Sequence, residues 1–169
     1  SFIVSSIRRR NLLRQLERMS YRDQLTQFGN RYAVDWFVEH EWNGEQIGVV
    51  YCDITGLKKV NDEQGHEAGD RLIIRACECL AGVFKGYGLY RIGGDEFLVL
   101  CLGIEEKDLR EHVEKLHMDM KEHQVTMAVG MIWKEHGPKD IDLLLNESER
   151  LMYEDKVRYY KEHGLKRRR

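Results

Sequence analysis

The feature that most constrains this chain is the stretch Arg91-Ile92-Gly93-Gly94-Asp95-Glu96-Phe97, set between the apolar runs 88–92 and 97–102. Runs rich in β-branched, aromatic and aliphatic residues read as strands, and a Gly-Gly pair between two of them marks a two-residue hairpin turn. Asp95 and Glu96 then stand at the turn as adjacent negative charges, which are costly unless water or a cation offsets them. Glycine accepts positive φ and lets a ligand approach the backbone, so Gly93 and Gly94 suit a tight turn and a phosphate neighbour alike. Taken alone, the stretch is compatible with a solvated hairpin tip as well as with a site.

The whole chain narrows the choice. Its 169 residues are the size of one domain with a real core. With 42% hydrophobic and 33% charged residues and a net charge of −2, it reads as an ordinary globular protein, and nothing in the charge supports nucleic-acid binding. Cys52, Cys77, Cys79 and Cys101 lie inside apolar runs without metal-ligand spacing, which fits reduced structural thiols in the cytosol.

Residues 1–22 read as a connector helix, helical from about 7, with Leu12, Leu16 and Met19 on one face, leading from an upstream sensory or membrane module. Apolar residues followed by Arg8-Arg9-Arg10 fit the cytoplasmic end of a membrane anchor, so a cytoplasmic domain of an inner-membrane protein is one expectation and a frayed helix start the other. A domain over 23–164 and a basic tail over 165–169 complete the division.

Within the domain, a helix through Ala33 and Phe37 precedes the apolar strand 47–52, which ends at Asp53. Residues 53–62 read as a turn, and Gly65 to Asp70 opens a helix with Ala68, Leu72, Ala76, Leu80 and Val83 on one face. After the hairpin come a helix with Leu109, Val113, Leu116 and Met120, a strand over 125–133, and a last helix after Pro138. His112 and His117, five apart on a charged helix, read as solvated surface. This order predicts an α+β fold, a mostly antiparallel central sheet covered by helices in the manner of a ferredoxin-like palm.

Two acidic positions thereby meet. Asp53 ends one strand, and Asp95 and Glu96 tip the hairpin expected beside it. Carboxylates converging from neighbouring strand ends suit Mg²⁺ against a triphosphate, since hard cations take oxygen ligands and Mg²⁺ keeps positions open for phosphate. Lys58 and Lys59 can meet phosphates as point charges. Asn61 offers an acceptor and a donor, and Asp70 can accept from the N1–H and 2-amino groups of a guanine. Each also has a local reading: Asn61-Asp62 as a turn, Asp70 as a first-turn helix acid.

Five stretches in order, Asp23-Gln24-Leu25-Thr26 with Asn30-Arg31, then DITGLKKVND, GHEAGD, RIGGDEF, and a late helix with Tyr153 and Lys156, together resemble the GGDEF-domain diguanylate cyclases over about residues 20–160. The resemblance implies a palm-like domain that joins two GTP into cyclic di-GMP, releases pyrophosphate, and works as a homodimer governed by the upstream module. It implies Asp53, the Ile54 carbonyl and Asp95 as ligands of Mg²⁺ or Mn²⁺, with Asp95 the catalytic acid position and Glu96 a further active-site acid. It implies Asn61 and Asp70 as guanine readers, His66 in the substrate pocket, Gly93 and Gly94 against the nucleotide, and Lys58 and Lys156 near phosphates.

The sequence departs from the pattern in places. Thr55 stands where a second acid is common, Leu57 where an aromatic is, and Gln27-Phe28-Gly29 where Gly-Leu-Pro is. The feedback-inhibition RxxD motif would fall on Phe84 and Tyr87, so inhibition there is not expected. Asp155 replaces an alanine and Tyr160 an arginine that helps hold phosphate, which leaves a catalytically silent GTP-binding regulatory domain as the alternative. An adenine-containing product is disfavoured by Asp70.

Overall fold

The computed structural model describes residues 2–164, apart from the side chains of residues 2 and 17–19, and the basic tail expected over 165–169 lies outside the described residues. The elements are α1 (Phe2–Met19), α2 (Arg31–His40), β1 (Ile47–Ile54), α3 (Leu57–Gln64), α4 (His66–Val83), β2 (Gly88–Arg91), β3 (Glu96–Leu102), α5 (Glu106–Glu122), β4 (Met127–Lys134) and α6 (Asp142–Glu162). The strands form one sheet in the order β2-β3-β1-β4, with every neighbouring pair antiparallel. This is the α+β, ferredoxin-like arrangement that the order of helical and strand patterns implied.

Every residue of β1 is buried, because helices cover both faces of the sheet. Successive side chains alternate between the faces. Val50, Cys52 and Ile54 pack with Leu72, Ala76 and Leu80 of α4 and Leu109 and Leu116 of α5. Val49 and Tyr51 pack with Val34 and Phe37 of α2 and Leu144 and Met152 of α6. A strand covered twice reads as a continuous apolar run, and the one acid in it, Asp53, stands out for that reason. The four cysteines are buried and free.

Helix α6 lies unusually close to β4. A Cβ at Gly130 would overlap the Ser148 carbonyl and the Met152 amide and meet the Leu151 carbonyl carbon at 3.0 Å. Glycine therefore allows backbone to pack on backbone, which brings the late turns of α6 to the end of β1.

Three sequence expectations need correction. Residues 53–62 are not simply a turn: α3 occupies 57–64, entered through Gly56 at φ 81. Only Leu57 and Val60 reach the core from this short helix, too few to mark a helical face. The hairpin loop is also longer than two residues. Residues 92–95 connect the strands, Ile92 N–H donates to the Glu96 carbonyl at 3.0 Å, and neither Gly93 nor Gly94 takes a positive φ. Helix α1 runs from Phe2 to Met19 rather than from about 7 to 22. It is exposed at every described position from 3 to 16 except the half-buried Ser6. Among the described residues, no helix is long and apolar enough to cross a membrane.

Candidate active site

β1 delivers Asp53 to the end of the sheet on the α6 side, where it pairs directly with Glu96 of β3. The strand is stitched to the hairpin loop there, since Ile54 N–H donates to the Asp95 carbonyl at 2.8 Å. Lys156 reaches in from α6, with Nζ 3.2 Å from Asp53 Oδ2. The other oxygen, Oδ1, is buried and has no partner among the described residues. Burial and then the neighbouring Asp95 push the Asp53 carboxyl up to about 6, against the pull of Lys156. Burial and Asp95 also raise Glu96.

A buried carboxylate oxygen without a partner is rare and calls for an unseen ion or water. The oxygens expected to hold a metal, those of Asp53, Asp95 and the Ile54 carbonyl, are hard donors of the kind that suits Mg²⁺ or Mn²⁺. Among the described residues, no three His, Cys, Asp or Glu side chains are grouped to hold a metal. A metal there would have to rest on two carboxylates, backbone and ligands from outside the protein.

The loop is held from behind by residues to which the sequence assigned no role. Arg91 donates from Nε and Nη2 to the Gly94 carbonyl at 3.2 and 2.8 Å, and from Nη1 to both Asp23 oxygens at 3.2 Å. Asp23 also accepts from the Thr26 amide and hydroxyl at 2.9 and 2.7 Å. Burial alone would raise the Asp23 carboxyl, but the Thr26 hydrogen bonds and Arg91 outweigh it and lower it. Tyr51 is buried on the Asp53 face of β1, and its hydroxyl pulls the Glu96 carboxyl back down against burial and Asp95. A Cβ at Gly93 would meet Glu96 Oε2 at 2.8 Å, whereas one at Gly94 would meet nothing within 4 Å. The first glycine thus makes room for the acid side chain, and the second leaves the loop open. Asp23 and Arg91 are 68 residues apart, and their pairing had no local signature.

The remaining candidates lie on the helical segment that follows β1. Lys58 is exposed in the first turn of α3, and Asn61 is half-buried three residues on. His66 opens α4 and is exposed, as is Asp70 one turn further on. Gly65, at φ 90, joins the two helices. Asn61 and Asp70 are thus on packed neighbouring helices, while Lys59 is exposed beside Lys58.

The departures also find local explanations. Asp155 Oδ2 accepts from Val129 N–H at 2.9 Å, so it satisfies a backbone donor of β4. Tyr160 is half-buried with its ring edge-on to Tyr159 at 5.8 Å. His112 is not simply solvated: its ring lies 5.6 Å from that of Phe84 and 6.1 Å from that of Tyr87, the two positions of the missing RxxD motif. His117 is exposed. A cleft of about 630 Å³ at the β4 edge, lined by His117, Lys121, Thr126, Asp155, Arg158 and Tyr159 among others, contains none of the acids or base readers proposed above.

Comparison with known proteins agrees with this geometry. The family model for the diguanylate cyclase GGDEF domain matches residues 20–161. Diguanylate cyclase DgcP of Escherichia coli is 30% identical over 152 residues, covering 81% of this chain and 45% of that protein. The bifunctional diguanylate cyclase/cyclic di-GMP phosphodiesterase MucR of Pseudomonas aeruginosa is 29% identical over 171 residues, covering 92% of this chain and 24% of that protein. The chain therefore spans less than half the length of either relative. In fold it is similar to the coiled coil and GGDEF domain of DgcB from Caulobacter crescentus, solved in complex with c-di-GMP, with a TM-score of 0.72 at 20% identity over 96% of this chain and 92% of that one. With its central acids, its sheet order and a family match over most of its length, this chain belongs to the GGDEF-domain family of diguanylate cyclases.

Proposed function

We propose that this chain is an active diguanylate cyclase domain, which binds one GTP and, face to face with a second copy, joins two GTP into cyclic di-GMP. The observation that carries this reading is the pairing of Asp53 with Glu96 beside Asp95, around a buried carboxylate oxygen that has no partner among the described residues. Asp53, Asp95 and the Ile54 carbonyl would hold Mg²⁺ or Mn²⁺, which when bound neutralises triphosphate charge. Lys156, already at Asp53, and Lys58 supply further positive charge for phosphates. The uncapped first turn of α3 offers backbone N–H donors in the same region. Asn61 and Asp70 read the guanine edge, and His66 lines the pocket.

In the reaction, the 3′-hydroxyl of one GTP attacks the α-phosphate of the other. A new O–P bond forms, the bond to the β-phosphate oxygen breaks, and pyrophosphate leaves. Asp95 and Glu96 are the carboxylates available to accept the hydroxyl proton. Each domain holds half of the reacting pair, so the site is open and needs a partner copy. The exposed apolar residues of α1, including Ile3, Ile7, Leu12 and Leu16, support pairing through that helix. The upstream sensory module expected in the full-length protein would act through it.

The second reading, a silent GTP-binding regulatory domain, is favoured by Tyr160, which brings no charge where an arginine is usual. Incubation with equal GTP and ATP in Mg²⁺ tests both. An active cyclase gives cyclic di-GMP and no adenine-containing product; bound GTP without product supports the silent reading, and an adenine product overturns the guanine assignment.

A further inference from the structure

Gly69 is buried in α4 and has an ordinary helical backbone, with no positive φ. Nothing in the main chain calls for glycine there, and a glycine destabilises a helix interior relative to alanine. The reason lies on the neighbouring helix. A Cβ at position 69 would overlap Asn61 Oδ1 and approach Cγ to 2.8 Å and Nδ2 to 3.3 Å. The Asn61 amide therefore rests directly on the bare Cα of Gly69. The obstruction is the end of a side chain and not backbone, so a residue at 69 would turn the amide away without prising the helices apart. Gly82, in the same helix, gives the contrast: a Cβ there would meet nothing within 4 Å.

The geometry points to Gly69 as a positioning residue for guanine recognition: the missing side chain seats the Asn61 amide, next to the residue that carries the second base reader, Asp70. This rests on the reading of Asn61 as a guanine contact made above. Gly69 touches no substrate itself and acts through Asn61. Stability and affinity should consequently move independently at this position, which a merely structural glycine would not allow.

The test compares Gly69→Ala, Gly82→Ala, Asn61→Ala and the Asn61→Ala/Gly69→Ala pair. The readouts are urea unfolding, calorimetric affinity for a non-hydrolysable GTP analogue with Mg²⁺, and the side-chain amide signal of Asn61 in ¹H–¹⁵N spectra. Gly82→Ala is expected to unfold at higher urea and bind as the unaltered protein does. Gly69→Ala is expected to shift the Asn61 amide signal and weaken the analogue about tenfold, the scale of one lost hydrogen bond. In the Asn61→Ala background it should weaken binding no further. If Gly69→Ala lowers the unfolding midpoint, removal of the Asn61 side chain should restore it; failure to do so overturns the seat. An unmoved Asn61 signal also overturns it. Unchanged affinity in Gly69→Ala, with Asn61→Ala weakened, overturns the role in recognition. If Asn61→Ala binds normally while the signal moves in Gly69→Ala, the guanine reading of Asn61 is what fails, and the recognition role fails with it.

Discussion

At Asp53 the fold holds a carboxylate that is 6% exposed, opposite Glu96 and with one oxygen unpartnered. Its folded pKa of about 6 exceeds the ordinary 3.8, so the stability it contributes is present below the ordinary value and lost as pH rises through about 6. Without divalent cation, Asp53→Asn is therefore expected to stabilise the domain by about 3 kcal/mol above that pH, with the difference vanishing below pH about 4. Urea unfolding at both ends of the range checks it, and a variant less stable than the parent at neutral pH would contradict it. Excess Mg²⁺ should stabilise the parent and not the variant. The acids were legible in the sequence because they interrupt apolar runs. Arg91, Asp23 and Tyr51 were not, because what they do depends on partners that only the fold brings near.

Among the elements, α6 controls where Lys156 sits, and Gly130 controls where α6 sits. Gly130→Ala drives a methyl group into the backbone of α6 at Ser148 and Met152, which cannot give way as a side-chain end can. It is expected to destabilise by about 1–3 kcal/mol, the range for overpacking, and to weaken the Lys156–Asp53 contact. A denaturation midpoint equal to that of the parent would show that the close approach is not tight. Most elements were readable from periodicity, since α4 and α5 carry clear apolar faces and β1 is a continuous apolar run. Helix α3 was missed because only Leu57 and Val60 face the core, and the hairpin loop was read too short because two glycines imitate a two-residue turn. Asp155, read in the sequence only as a departure from the family pattern, has a structural partner in the Val129 amide, 26 residues away and on another element.

For the whole molecule, the proposed function makes the acids and the expected base readers one half of a reaction centre, and α1 carries Ile3, Val4, Ile7, Leu12, Leu13 and Leu16 at half or more exposure. A dimer that buries this helix and brings two half-sites together makes turnover depend on protein concentration. The most direct measurement is therefore the rate of cyclic di-GMP and pyrophosphate formation from GTP and Mg²⁺ across a dilution series. A diguanylate cyclase built this way releases two pyrophosphates per cyclic di-GMP, with a rate per chain that rises with concentration and disappears in Asp95→Asn. GTP binding with no product at any concentration would contradict the cyclase assignment.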